Sequence, residues 1–151
     1  MKIFIFLLIL AAFLQSSFIP INLVLILLIA RSLAIPEKQN LYAAFLAGIL
    51  LGLLQSQNLG FWTLSFVLLV KLLTLSKKLP FSRNLLTVLI VSGLALGLVS
   101  LGQSLYFHQA FELSKLIWEI VLSGPVYLMI LFWEERFVVK PETRLKLRSW
   151  S

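Results

Sequence analysis

Apolar residues run along the chain in long blocks punctuated by short polar clusters, at residues 3–15, 20–35, 41–54, 59–75, 85–107 and 113–133. Lipid offers the backbone no water, so blocks of this kind become helices rather than open strands. The pattern predicts an all-α integral membrane protein, a compact bundle of six short transmembrane helices. Five spans with one re-entrant or interfacial segment is the alternative count. A perpendicular span takes about 20 residues, and several blocks fall short of that. Gln15, Ser16, Asn22, Gln55 and Asn58 stand near the block ends, where local thinning of the bilayer absorbs the mismatch.

The breaks have physical causes. Gln15-Ser16-Ser17 followed by Pro20 ends the first block, because proline lacks a donor and restricts the residue before it. Pro36-Glu37-Lys38-Gln39-Asn40 ends the second with a proline and a charge pair. The stretch from Gln55 to Gly60 is neutral and turn-like, and that from Ser76 to Asn84 is a basic loop around Pro80. There is no long linker and no low-complexity tract. The expected organisation is one polytopic domain over residues 1–133 and a basic cytoplasmic tail over 134–151.

Composition supports the membrane reading and removes much chemistry. Of 151 residues, 60% are hydrophobic and 13% charged, and mean hydropathy is +1.02. Soluble domains carry about a quarter charged residues, and one core of this size cannot hide so many apolar blocks. Cysteine is absent, which removes disulfides, thiolate nucleophiles and zinc–sulfur sites. The acids are Glu37, Glu112, Glu119, Glu134, Glu135 and Glu142, with no aspartate, and His108 is the single histidine. A two-histidine zinc site, a Ser-His-Asp triad and an Asp–magnesium site are therefore excluded within this chain. No phosphate-binding or dinucleotide-binding glycine loop is present. The expectation is a protein without enzymatic activity, metal or cofactor.

Charge fixes the expected orientation. With alternating spans, Lys115 stands alone on one side and the other twelve of the 13 Lys and Arg residues fall on the opposite side. By the positive-inside rule both termini are cytoplasmic. The net charge of +7 is thereby accounted for without nucleic acid, since the basic residues flank apolar blocks and form no aromatic-interleaved groove. Lys2 followed by twelve apolar residues also resembles a signal peptide. Retention is the reading adopted, because nothing globular follows that would be secreted.

Few residues stand out as candidates. Gly48 and Gly52 form one GxxxG step and Gly93 and Gly97 another; small residues four apart let helix backbones approach closely, within the chain or against a partner. Glu119 is the one acid well inside a block. Charged groups at depth mark a function or a pairing, and Lys115, one turn earlier, offers an interfacial i,i+4 pair. Asn22, Gln55 and Asn58 are amides near span ends, able to hydrogen-bond across helices or to solvate the interface. His108 reads as a solvated loop residue. Trp62, Trp118 and Trp133 suit interfacial aromatic belts, whereas Tyr127 falls inside the last block. The tail pairs basic residues with Phe137, Leu145, Leu147 and Trp150, a pattern suited to an anionic leaflet.

The order of these features resembles the MreD family, bacterial rod shape-determining membrane proteins. A short first helix closes on Gln15-Ser16-Ser17, and Pro20-Ile21-Asn22-Leu23 opens the second. Ala44-Phe45 leads through Gly48 to Gly52-Leu53-Leu54 in the third, and Leu59-Gly60-Phe61 leads to Leu64-Ser65-Phe66 in the fourth. The last helix carries Pro125-Val126-Tyr127 and is followed by Glu134-Glu135-Arg136-Phe137. The motifs are short and apolar, and the resemblance lies in their order over most of the chain. The family commonly has an aspartate after the Gly-Leu-Leu of the third helix, where this sequence reads Gln55-Ser56-Gln57.

The resemblance implies a non-enzymatic scaffold of the cell-wall elongation assembly in the bacterial inner membrane. Its partners would be the bitopic protein MreC, the actin-like MreB, a peptidoglycan glycan polymerase and its transpeptidase. A second reading shares the size, the six short helices and the low charge: the substrate-binding S component of an energy-coupling-factor vitamin transporter. Such a subunit would show an alanine-rich docking face on the first helix, which here offers only Ala11-Ala12.

Overall fold

The structure, a computed structural model, describes residues 2–18, 21–34, 38–56, 59–76 and 85–133. Among the described residues it is all-helical, with α1 (Lys2–Ser17), α2 (Leu23–Ala34), α3 (Gln39–Leu54), α4 (Leu59–Ser76), α5 (Leu85–Phe107) and α6 (Leu113–Trp133). The fifth and sixth blocks of the sequence become α5 and α6 with the expected bounds. The second block is the one most shortened, because Ile21 and Asn22 stay outside the helix. The basic tail and Asn58 lie outside the described residues.

Two helices, α5 with 23 residues and α6 with 21, are long and apolar enough to cross a membrane. Most of the surface of each faces outward rather than into the fold, unlike the core helix of a soluble protein. Their outward residues include Leu86, Leu94, Leu98 and Leu105 on α5 and Trp118, Met129 and Phe132 on α6. Large apolar side chains on an outer surface at this density mark a face that meets lipid or another protein. Pro125 sits inside α6 and leaves the carbonyl one turn earlier without its intrahelical donor; helices in lipid tolerate this better than helices in water.

The core forms around α2. Val24, Leu25, Ile26, Leu28 and Ile29 are all buried, and α2 packs on every other helix. Its 12 residues rise only about 18 Å, against a hydrocarbon thickness of about 30 Å. The helix is enclosed by its neighbours. Around it, α3 and α4 form the closest pair, α5 packs on α6, and α1 packs on α2 and α3.

Trp62, expected at an interfacial belt, is fully buried (0% exposed). Its ring meets Phe66 edge-on at 5.6 Å and Phe61 at 5.7 Å, an arrangement that aromatic quadrupoles favour. Trp118 and Trp133 are exposed, and Tyr127 is buried beside Ala30 and Val88.

Candidate functional site

Two polar junctions sit at opposite ends of α2, and both are built from residues that interrupt apolar sequence. At the first, α1 ends on Gln15 and the chain turns back to enter α2 through Asn22. Helix starts leave backbone N–H groups without intrahelical partners, and here side chains from other helices supply acceptors. The Val24 N–H donates to Gln15 Oε1 at 3.2 Å, and Gln15 Nε2 donates to Asn22 Oδ1 at 3.1 Å. The Asn22 N–H donates to Glu119 Oε1 at 3.0 Å, a bond from α6 that spans 97 positions in sequence.

Glu119 is fully buried (0% exposed), and its second oxygen, Oε2, has no hydrogen-bond partner. The interfacial Lys115–Glu119 pair expected from spacing gives way to an inward bond. The carboxylate turns onto the start of α2, while Lys115 acts on it as a nearby positive charge. Asn22, whose side chain also faces the carboxylate, holds register between helices rather than solvating an interface. Gln15, Asn22 and Glu119 thus tie α1, α2 and α6 at one point.

At the other end of α2, Arg31 is only 5% exposed. Its Nε–H donates to Asn40 Oδ1 of α3 at 3.0 Å, and its guanidinium lies 4.4 Å from the centre of the Phe4 ring of α1. A charge at depth is costly unless paired or hydrogen-bonded, and a planar guanidinium can donate and stack at once. Charge counting places Arg31 among the flanking basic residues; its position inside an apolar block was the signal of burial. Replacing it by lysine keeps the charge but removes both the Nε–H donor and the stacked plane. Arg31→Lys is expected to lower stability by about 1–3 kcal/mol, read from unfolding by sodium dodecyl sulfate in mild detergent.

The glycine steps are packing features of unequal tightness. A Cβ on Gly48 would lie 2.5 Å from the Cα of Thr63 and 2.8 Å from its backbone nitrogen. On Gly52 it would lie 3.0 Å from the Cα of Leu59. The first step is therefore the seam between α3 and α4. On Gly93 a Cβ would meet Ile120 Cδ1 of α6 at 3.3 Å, and on Gly97 it would meet nothing within 4 Å. Near Gly93, the Oγ atoms of Ser92 and Ser123 lie 2.8 Å apart and link α5 to α6.

Gln55 caps the C-terminus of α3 and is half-buried there, its N–H bonded to the Leu51 carbonyl at 2.9 Å. It joins neither junction. His108 is an exposed turn residue with φ 53° after α5, a left-handed position at a helix end. Among the described residues, no three His, Asp or Glu side chains stand close enough to share a metal ion. A polar cleft of about 190 Å³ lies between Gln103 and Ser104 of α5 and Glu112 and Lys115 at the entry to α6.

No protein-family model matches the chain, and no curated protein or solved structure matches it.

Proposed function

We propose that the protein is a multi-pass scaffold of the bacterial inner membrane, a non-enzymatic subunit of the cell-wall elongation complex. All six helices lie in the membrane, with both termini cytoplasmic, and partner spans pack on its outer faces. An MreC-like bitopic protein and a peptidoglycan polymerase with its transpeptidase are the expected partners.

The observation that supports this reading most is where the family-like residues fall. Gln15 and Asn22, which frame the first shared motif, belong to one buried junction. Gly48 and Gly52, which carry the second, line the tightest seam between helices. Residues that hold a fold together keep their order along a sequence when little else is fixed. The polar groups at depth are spent on joining α1, α2, α3 and α6 to one another, the architecture of a rigid platform.

Mild crosslinking in native membranes, followed by capture through a C-terminal tag, tests the proposal. Recovery of an MreC-like protein, the glycan polymerase or its transpeptidase is the expected result, and clean deletion should turn rods into rounded cells. Recovery of an ATPase pair with a coupling subunit would move the chain to vitamin uptake. Rods that stay rods after deletion would end the scaffold reading.

A further inference from the structure

Lys115, Glu119, Ser123 and Tyr127 stand on one face of α6 at i+4 spacing. Lys115 is half-buried and the other three are buried, so the row faces α2 and α5, the helices on which α6 packs. Side chains four apart on a helix are neighbours, about 5–6 Å apart at Cβ. From Lys115 to Tyr127 the row climbs about 18 Å, over half of a hydrocarbon thickness of about 30 Å. To this row α5 adds Ser92, whose Oγ lies 2.8 Å from that of Ser123. One end of the row meets the polar cleft, which Lys115 lines together with Ser100 and Gln103. The other end, Tyr127, packs beside Ala30, the residue before Arg31.

We propose that this row is a proton path through the bundle, with Glu119 as its proton-binding group. It rests on the membrane placement of α5 and α6 proposed above. An ionisable side chain facing the interior of a membrane bundle marks a pathway or a pairing, and only one oxygen of Glu119 is paired. Its Oε1 accepts the Asn22 N–H, whereas Oε2 is buried with no hydrogen-bond partner. A structural acceptor needs one oxygen, which an amide would supply without leaving a buried carboxylate oxygen open. The charge that acts on Glu119 is Lys115 of its own helix. Neutral amides, Gln15 of α1 and Asn22, come to the same junction, and α5 faces the row with the Ser92 hydroxyl. Proton transfer leaves the junction intact. A proton given up by hydronium at the cleft bonds to Oε2, making a neutral acid whose Oε1 still accepts the Asn22 N–H. The Oε2–H bond then breaks toward Ser123, and the carboxylate is restored. A hydroxyl can accept one proton while donating another, so Ser92 and Ser123 relay without a lasting charge. Gaps of one helical turn are of a length that a hydrogen-bonded water bridges.

The test uses the purified full chain in liposomes that enclose a pH-sensitive dye, with a potassium gradient and valinomycin setting the membrane potential. The internal pH should change faster than in protein-free liposomes. Glu119→Gln keeps an acceptor for the Asn22 N–H and should bring the flux down to the protein-free rate with helix content unchanged. Dicyclohexylcarbodiimide, an apolar reagent that modifies protonated carboxyl groups, should form an adduct at Glu119 of the unaltered protein and block the flux. Mass spectrometry locates that adduct, and this readout does not depend on a variant folding. Flux at the protein-free rate in the unaltered protein overturns the proposal. So does full flux in Glu119→Gln, or a Glu119 that the carbodiimide leaves unmodified. Alkaline carbonate extraction separates this failure from that of the membrane reading. Protein retained in the bilayer without flux ends the proton path alone, and protein released from it ends both. No partner is needed, so the outcome is also distinct from that of the scaffold test.

Discussion

Gly48→Ala is expected to lower stability by about 1–3 kcal/mol, and Gly48→Leu by more. The added Cβ would lie 2.5 Å from the Cα of Thr63 and 3.1 Å from the carbonyl carbon of Trp62. Those are backbone atoms and cannot swing aside like the end of a side chain. Contact between carbons is optimal near 3.5–4.0 Å, so α4 must retreat by about 1 Å and loosen its packing along α3. Trp62 is buried at that point, so its fluorescence should shift as the seam opens. The same substitution at the other glycines gives a graded control. Gly52→Ala meets the Cα of Leu59 at 3.0 Å and should cost less. Gly93→Ala meets only the movable end of Ile120, at 3.3 Å, and should be mild. Gly97→Ala meets nothing within 4 Å and should gain up to about 1 kcal/mol from helix propensity. Detergent-unfolding curves for the four variants check the order. If Gly48→Ala were as harmless as Gly97→Ala, the close approach of α3 and α4 would be wrong.

The glycine spacing shows why some of this was legible in sequence and some was not. Residues four apart announce a close approach, but the two steps look alike on paper. Which one meets backbone depends on the partner helix, which local pattern does not encode. Helix bounds were legible where a block was long and uninterrupted, as in α5 and α6. The centre of the bundle was not. The outward faces of the surrounding helices are as apolar as the inward ones, so α2 reads like any other block although it is the most enclosed. For the same reason Trp62 was indistinguishable from an interfacial tryptophan. Buried polar residues carried more information. Glu119 inside its block signalled a pairing, and the choice between Lys115 and Asn22 required the fold, because Asn22 lies 97 positions away. Gln15 ended up in a junction although its position suggested a span end, and Arg31 did so although charge counting grouped it with the flanking basic residues.

The Glu119 junction allows the hydrogen bond to be separated from the charge. Glu119→Leu is expected to lose about 1–3 kcal/mol, because it leaves the buried Asn22 N–H without an acceptor. Glu119→Gln keeps an oxygen at the Oε1 position that accepts that N–H. It also removes a carboxylate whose Oε2 has no hydrogen-bond partner, and an ionised group at such a site bears a desolvation cost of several kcal/mol. Against this stands a new amide donor near Oε2, so the net change should be within about 1 kcal/mol of the parent. Asn22→Ala keeps the backbone N–H that Glu119 accepts but removes the Oδ1 that accepts from Gln15, so it should be damaging alone and should add a further loss to Glu119→Leu. Unfolding in detergent, followed by helical circular dichroism, reads all four proteins on one scale. If Glu119→Gln proves as damaging as Glu119→Leu, the negative charge is what the junction needs. Attraction to Lys115 would then be the dominant contribution, and Lys115→Gln should reproduce the loss. If Glu119→Gln is tolerated and Lys115→Gln is silent, the carboxylate serves as a hydrogen-bond acceptor for the start of α2.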